Sequence, residues 1–237
     1  MPLATEHPPP SPQDILPPRR AWTRTRAARA AVWWSLTTGA VFLLAQFDLN
    51  LMSRIGVDLN AEPHPLVRAA QALSEWPVLI FVVPIALADR RRKLVICHVL
   101  FSAYIGFNLV HLGKKTIVRE RPYATFDRLA ADPDLPRNAS WLGVGLDFRK
   151  KQTLESFPSG HTANAFALAA TLAWFYPSWR MAFLLLATAC AVSRVIQGAH
   201  WPSDCLAGAA IGIASMWISL RFRTLTTPSR WFRRSPH

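Results

Sequence analysis

Cysteine is scarce in this chain, and the three cysteines present form no framework. Cys97, Cys190 and Cys205 lie within or at the edge of apolar segments. Their odd number and the lack of metal-type spacing argue against a disulfide scaffold and against a zinc site. We interpret them as small side chains that are buried in the protein or face lipid.

Acidic residues are also in short supply, with 14 Asp and Glu against 27 Lys and Arg. The sequence lacks the acidic cluster expected for magnesium, so we predict no metal and no other cofactor. A net charge of +13 raises the question of a nucleic-acid partner. The basic residues cluster instead in tails and connections beside apolar segments, as in proteins that contact anionic lipid. We therefore predict the bilayer and a membrane lipid as partners, and no nucleic acid; the sequence indicates no particular protein partner.

Hydrophobic residues make up 51% of the chain and fall in blocks separated by short charged or proline-containing connections. Ten tryptophans, many of them near block ends, fit the aromatic belts of membrane interfaces. Six blocks approach the ~20 residues that a helix needs to cross a bilayer. We predict an all-α fold, a bundle of six transmembrane helices, with spans near residues 32–52, 69–88, 94–112, 160–177, 180–199 and 204–221.

The composition divides the chain into three parts. Residues 1–30, rich in Pro and Arg, predict a disordered cytoplasmic tail, 31–222 a six-span domain, and 223–237 a basic cytoplasmic tail. A signal peptide would carry its charged region nearer the start and a small-residue cleavage site, so we expect the first span to be retained.

The distribution of basic residues also predicts an orientation. They are dense in both tails and at 90–93, whereas the first outer loop carries only Arg54 and Arg68. Both termini are therefore expected in the cytoplasm, in a bacterial inner membrane. The long loop 113–159, between spans three and four, then lies on the outer face.

Three polar motifs lie where predicted spans meet loops on this outer face. The first covers residues 114–122, the second 157–161 and the third 193–204. If the helices bundle, the three motifs converge. Together they supply two histidines, a carboxylate, three cations and a Ser-Gly turn that opens a helix.

The cations and the turn are suited to phosphate. A helix N-terminus presents free N–H groups and a positive dipole end, with Ser159 as N-cap and Gly160 allowing close approach of an anion. Arg121 and Arg194 can each fork two donors onto phosphate oxygens, and Lys114 adds a point charge. These charges would stabilise a pentacovalent transition state.

Two histidines divide the remaining chemistry between a neutral nucleophile and a protonated acid. Asp204 lies four residues after His200, one helical turn away if the helix starts there. A carboxylate that accepts the second imidazole N–H would fix the tautomer and support positive charge on the ring. We therefore predict His200 as nucleophile, Asp204 as its orienting carboxylate, and His161 as acid and later base for water.

These residues carry a family resemblance. Lys114-x6-Arg121-Pro122, Pro158-Ser159-Gly160-His161 and Ser193-Arg194-x5-His200-x3-Asp204 resemble the three-part signature of the type 2 phosphatidic acid phosphatase superfamily. All three parts are present and in order. The resemblance implies a six-helix membrane core and metal-independent dephosphorylation of lipid phosphates. The family also contains soluble vanadium haloperoxidases, a branch against which the six apolar spans argue.

The sequence leaves the substrate and two alternative functions open. Candidate substrates are phosphatidic acid, phosphatidylglycerophosphate, undecaprenyl pyrophosphate and lipid A phosphates. One alternative is a phosphotransferase that passes the phosphoryl group from His200 to a lipid. The other is a lipid-binding membrane protein without catalysis, which an eroded motif would have favoured.

Overall fold

A computed structural model describes residues 24–55, 65–75, 84, 89, 92–132, 134, 141–144 and 152–222. Most of these residues are helical. The helices are α1 (Arg24–Ile55), α2 (Pro65–Glu75), α3 (Arg92–Thr116), α4 (Pro122–Ala131), α5 (Gly160–Phe175), α6 (Arg180–Ile196) and α7 (Pro202–Ser219). Short 3-10 turns occupy Gln152–Leu154 and Pro177–Trp179.

The predicted helical character is confirmed, with one local difference. The described residues include a two-stranded antiparallel ladder between β1 (Ile117–Arg119) and β2 (Trp141–Val144). The β-branched residues Ile117 and Val118 favour an extended backbone directly after α3. The long loop between α3 and α5 thus contains the ladder, α4 and a 3-10 turn.

Three helices of the described chain are long and apolar enough to cross a membrane, namely Ala28–Arg54, Lys93–Thr116 and Pro177–Ile196. They match the first, third and fifth predicted spans. The fourth and sixth coincide with α5 and α7, which have 16 and 18 residues. Residues 76–83 and 85–88 of the predicted second span lie outside the described residues, and the count of six stays a prediction.

The predicted tails are treated in the same way. α1 begins at Arg24, inside the range predicted as the N-terminal tail. Residues 1–23 and 223–237 lie outside the described residues.

α5 is the central helix of the bundle and packs against α3, α6 and α7. Its lower half buries Leu168, Leu172 and Phe175 against Val95 and Met216. Along α7, a Cβ at Gly208 would lie 2.5 Å from the carbonyl oxygen of Ser159. Gly212 faces the carbonyl of Ala163 still more closely. Small residues therefore bring the backbones of α5 and α7 into direct contact, as is common between membrane helices.

α1 lies at the edge of the bundle and contacts α7. Its buried side chains, Ala45, Asp48 and Met52, form a single stripe at helical spacing. Large apolar side chains such as Phe42 and Phe47 are exposed on its remaining surface. An exposed apolar surface of this extent fits contact with lipid.

Candidate active site

The turn between α6 and α7 positions the third motif. The carbonyl of Arg194 accepts the N–H groups of Ala199 at 3.1 Å and His200 at 3.2 Å, which folds the chain back after α6. Gly198 has φ 62°, a left-handed conformation that glycine adopts without a steric penalty. Pro202 then opens α7 at its first position. His200 is thereby held in the turn between two helices, with 2% of its surface exposed.

His200 is oriented by a backbone carbonyl. Its Nδ1 lies 2.8 Å from the carbonyl oxygen of Ser156, whereas the nearest Asp204 oxygen is 3.8 Å away. A carbonyl can only accept a hydrogen bond, so Nδ1 carries the proton and Nε2 keeps its lone pair. The predicted direct bond from Asp204 to this ring is therefore replaced by one from Ser156. The i,i+4 argument fails because His200 precedes the first helical residue, Pro202.

Burial also sets the charge of His200. Removal of the ring from water lowers the pKa of His200, and the nearby positive charges of Arg121 and Lys114 act in the same direction. The carboxylate of Asp204 opposes this shift. The ring therefore stays neutral to a lower pH than an exposed histidine. The influence of Arg121 and Lys114 also indicates that the first motif lies close to the third.

Asp204 is the centre of a hydrogen-bonded network. Its Oδ2 accepts the Ser156 hydroxyl at 2.5 Å and the Trp201 N–H at 3.0 Å. Its Oδ1 accepts Nη1 of Arg119. The carboxylate thus reaches His200 indirectly, because it holds the residue whose carbonyl orients the ring. Asp204 also satisfies an unpaired N–H at the start of α7.

Arg119 lies deeper than the sequence suggested. It borders the first motif and had been considered at most an extension of the cationic site. In the structure its side chain is 0% exposed and binds Asp204 together with Asp48 of α1 and Ser203 of α7. We call Asp48, Arg119, Ser156, Ser203 and Asp204 the site network.

The second motif begins α5. Ser159 occupies the N-cap position, as predicted, but its hydroxyl bonds the Thr162 hydroxyl at 3.0 Å instead of a backbone N–H. The N–H of Ser159 donates to the backbone carbonyl of Asp204 at 3.1 Å, which ties α5 to α7. A Cβ at Gly160 would meet only Val110, at the ordinary distance of 3.4 Å. His161 follows as the second helical residue and is half-buried.

The segment 152–156 joins the first motif to the third. Lys114 Nζ donates to the carbonyl of Glu155 at 3.0 Å, and the Arg121 N–H donates to the carbonyl of Thr153 at 2.9 Å. The N–H of Ser156 donates to the carbonyl of Arg119 at 3.1 Å. The same residue therefore contacts β1 through its N–H and His200 through its carbonyl.

Arg194, the remaining predicted phosphate ligand, is buried at the end of α6. Its Nη1 donates to Oε1 of Gln197 at 2.8 Å, a partner that the sequence had not indicated. This bond crosses the turn that also holds His200. Arg194 therefore shapes the turn through its backbone and its side chain.

Sequence reasoning missed several residues of the site. Ser156 and Ser203 act through a backbone carbonyl and a hydroxyl, and neither belongs to a recognisable pattern. Asp48 offered a signal, since a carboxylate within an apolar span is costly and is usually retained for function. Within the described ranges, no three His, Cys, Asp or Glu residues form a group that could hold a metal ion.

Comparisons with known proteins agree with this geometry. The PAP2 superfamily model matches residues 93–227, which include all three motifs. The lipid A 1-phosphatase of Rhizobium johnstonii is 42% identical over 127 residues, 50% of this chain and 45% of that protein. This chain thus spans less than half the length of that relative. The putative undecaprenyl-diphosphatase YbjG of Escherichia coli is 23% identical over 81% of this chain and 93% of its own.

Solved structures provide an independent comparison. The crystal structure of Aquifex aeolicus LpxE matches with a TM-score of 0.53 and 25% identity, over 74% of this chain and 96% of that one. The apolar helices and these membrane relatives identify an integral membrane protein. On the family model and the three motifs that it spans, the chain belongs to the PAP2 superfamily.

Proposed function

We propose that this protein is a membrane phosphatase that hydrolyses a lipid phosphate or a polyprenyl pyrophosphate through a phosphohistidine on His200. The observation that carries the proposal is the setting of His200. The ring is buried, its Nδ1–H is bonded to the carbonyl of Ser156, and the charges of Lys114 and Arg121 lie close enough to lower its pKa. Relatives with phosphatase names support the reaction class.

The proposed first step is attack by Nε2 of His200 on phosphorus. The N–P bond forms as the P–O bond to the lipid breaks, and His161 gives its proton to the departing oxygen. In the second step His161 takes a proton from water, which attacks phosphorus and breaks the N–P bond. The products are inorganic phosphate and the dephosphorylated lipid, or the lipid monophosphate when the substrate is a pyrophosphate.

The cations have a separate task in this proposal. Lys114, Arg121 and Arg194 would hold the phosphate oxygens and stabilise the negative charge that accumulates in the transition state. The N–H groups that begin α5 add a positive dipole end, and Gly160 leaves that end open. Charge is then managed by protein groups, so we propose that the reaction needs no metal.

Membrane position and substrate complete the proposal. An active site on the outer face of a bacterial inner membrane would receive phosphates at the interface while the lipid tails stay in the bilayer. Lipid A phosphates are the first candidates because of the 42% identity to the Rhizobium relative. Phosphatidic acid, phosphatidylglycerophosphate and undecaprenyl pyrophosphate complete the panel.

The test is phosphate release by the detergent-purified protein from that panel, with EDTA present. Wild type and His200→Ala are compared with His98→Ala, which removes a buried histidine from the opposite half of the bundle. We expect release from one or two lipids, unaffected by EDTA. It should fall by about a thousandfold or more in His200→Ala and persist in His98→Ala.

Each other result has a definite meaning. Normal turnover in His200→Ala would overturn the assignment of the nucleophile. Loss of turnover with EDTA would overturn metal independence. Transfer of radiolabelled phosphate to a second lipid, without free phosphate, would identify a phosphotransferase that uses the same histidine.

A further inference from the structure

The site network places two carboxylates around one buried guanidinium. Arg119 Nη2 donates to Asp48 at 2.6 Å, and Nη1 donates to Ser203 at 2.7 Å and to Asp204. The Arg119 guanidinium carbon also lies 5.5 Å from the centre of the Trp201 ring. Ions buried in this way are expensive to desolvate, and their geometry is tightly constrained by their partners.

Asp48 reaches this network from a helix that is otherwise exposed to lipid. It lies between Ala45 and Met52 on the buried stripe of α1. Its Oδ1 accepts the N–H of Ser203 at 3.1 Å, and its Oδ2 accepts the Ser203 hydroxyl. This N–H belongs to the first turn of α7, where backbone donors have no partner within the helix. Asp48 therefore fixes both the start of α7 and the direction of Arg119.

Because Arg119 is held from both sides, Asp204 has a defined orientation. Arg119 takes Oδ1, which leaves Oδ2 for the hydroxyl of Ser156 and the N–H of Trp201. The carbonyl of the same Ser156 accepts Nδ1–H of His200 at 2.8 Å. The contacts run without a break from Asp48 on α1 to the imidazole.

We propose that Asp48 and Arg119 are positioning residues, which act through Asp204 and Ser156 to hold His200 for nucleophilic attack. The inference rests on the proposed function of His200. Without Asp48, Arg119 loses one of its two anions. Without Arg119, two buried carboxylates face each other and one must take up a proton. In both cases Asp204 releases Ser156, and the ring loses its alignment.

The alternative is that the ion pairs only fasten α1 and β1 to α7. A fastening role lowers the stability of the protein and leaves kcat of the folded molecules unchanged. A positioning role lowers kcat and leaves KM unchanged, because neither residue touches the substrate. The two roles therefore differ in a measurable quantity.

The experiment compares Asp48→Asn, Arg119→Gln and the double variant, with Arg128→Gln as control. Arg128 forms a partly exposed ion pair with Glu120, at 2.9 Å, outside the network. We expect kcat to fall about a hundredfold in Arg119→Gln, the loss associated with a displaced catalytic group, at unchanged KM. Asp48→Asn should lose about tenfold, and the double variant no more than Arg119→Gln, since both residues act through one chain of contacts.

Ser203→Ala keeps the test decisive if the charged variants do not fold. It removes one hydroxyl between Asp48 and Arg119, and we expect kcat to fall about fivefold, the effect of one hydrogen bond. A lower unfolding temperature with wild-type kcat in the folded variants would overturn the proposal. So would fully additive losses in the double variant.

A second measurement does not depend on turnover. Nitrogen NMR of 15N-histidine-labelled protein reports the tautomer of His200, assigned from the His200→Ala spectrum. We expect the Nδ1–H form in the wild type and in Arg128→Gln, and its loss in Asp48→Asn and Ser203→Ala. An unchanged tautomer in both would overturn the positioning role. If wild type releases no phosphate but the tautomer still depends on Asp48, the proposed function fails and the positioning role stands.

Discussion

Two sets of buried polar side chains lie in the bundle, and they differ in charge. The site network contains an arginine between two carboxylates at the end of the bundle where α7 begins. Farther down the bundle, two neutral pairs connect the helices. His98 of α3 lies 2.9 Å from Ser219 of α7, and Ser102 of α3 lies 3.0 Å from Thr171 of α5. We call these the bundle pairs.

The difference concerns what each set requires of its surroundings. Ser102 and Thr171 also bond carbonyls of their own helices, so each keeps a partner when the other is lost. Removal of one member of a buried ion pair instead leaves an uncompensated charge. The neutral pairs are therefore a tolerant means of joining helices, and the charged network is a demanding one. A demanding network is suited to the region where geometry decides the rate.

The largest contrast is expected at Asp204. The Asp204→Asn substitution removes the charge that faces Arg119 and turns one acceptor into a donor. We expect kcat to fall about a hundredfold, because the amide cannot hold both Arg119 and Ser156. Ser219→Ala, which breaks a bundle pair on the same helix, should keep wild-type kcat. Steady-state kinetics of phosphate release compares them, and equal losses in the two variants would remove the distinction.

A smaller effect is expected from pH. Protonated His200 cannot attack phosphorus, so kcat/KM should fall as pH drops through its pKa. Burial lowers this pKa, and we therefore expect the acidic limb of the wild-type profile below pH 6.5, the ordinary value for histidine. Arg121→Gln removes a charge that lowers the pKa, so the limb should move to higher pH, by less than about one unit.

The measurement is kcat/KM from pH 4 to 9 on a substrate whose phosphate stays in one ionisation state, approximated with matched phosphonate binding controls. Arg128→Gln serves as the comparison, since it removes a positive charge from α4 without altering the charges that face His200. A limb that moves to lower pH in Arg121→Gln would contradict the assignment of this titration to His200.

The smallest effect on activity is expected at the bundle pairs. Ser102→Ala and Thr171→Val each remove one hydroxyl between α3 and α5. We expect a loss of about 0.6–1 kcal/mol in the free energy of unfolding, typical of hydrogen bonds between membrane helices. Values of kcat should stay at the wild-type level. Unfolding in detergent provides the stability, and a reduced kcat in the folded protein would show that this pair also supports the site.

The sequence predicted convergence of the three motifs because each begins or ends a helix. It did not predict how His200 is held, since the i,i+4 argument assumed that the helix already included His200. Asp48 and Arg119 are 71 positions apart in the chain, so no local pattern could pair them. Ser156 contributes a carbonyl, which every residue possesses. Residue types thus indicated the chemistry, while tertiary contacts determined which groups meet.

The contact between α5 and α7 has a consequence for how the protein responds to its lipid environment. Gly208 and Gly212 bring the two backbones together, and the N–H of Ser159 bonds the carbonyl of Asp204. The separation of the two histidine-bearing turns is therefore set by backbone contact, independently of bilayer thickness. Changes in membrane composition should alter how readily a lipid reaches the protein and leave the geometry of the chemical step intact.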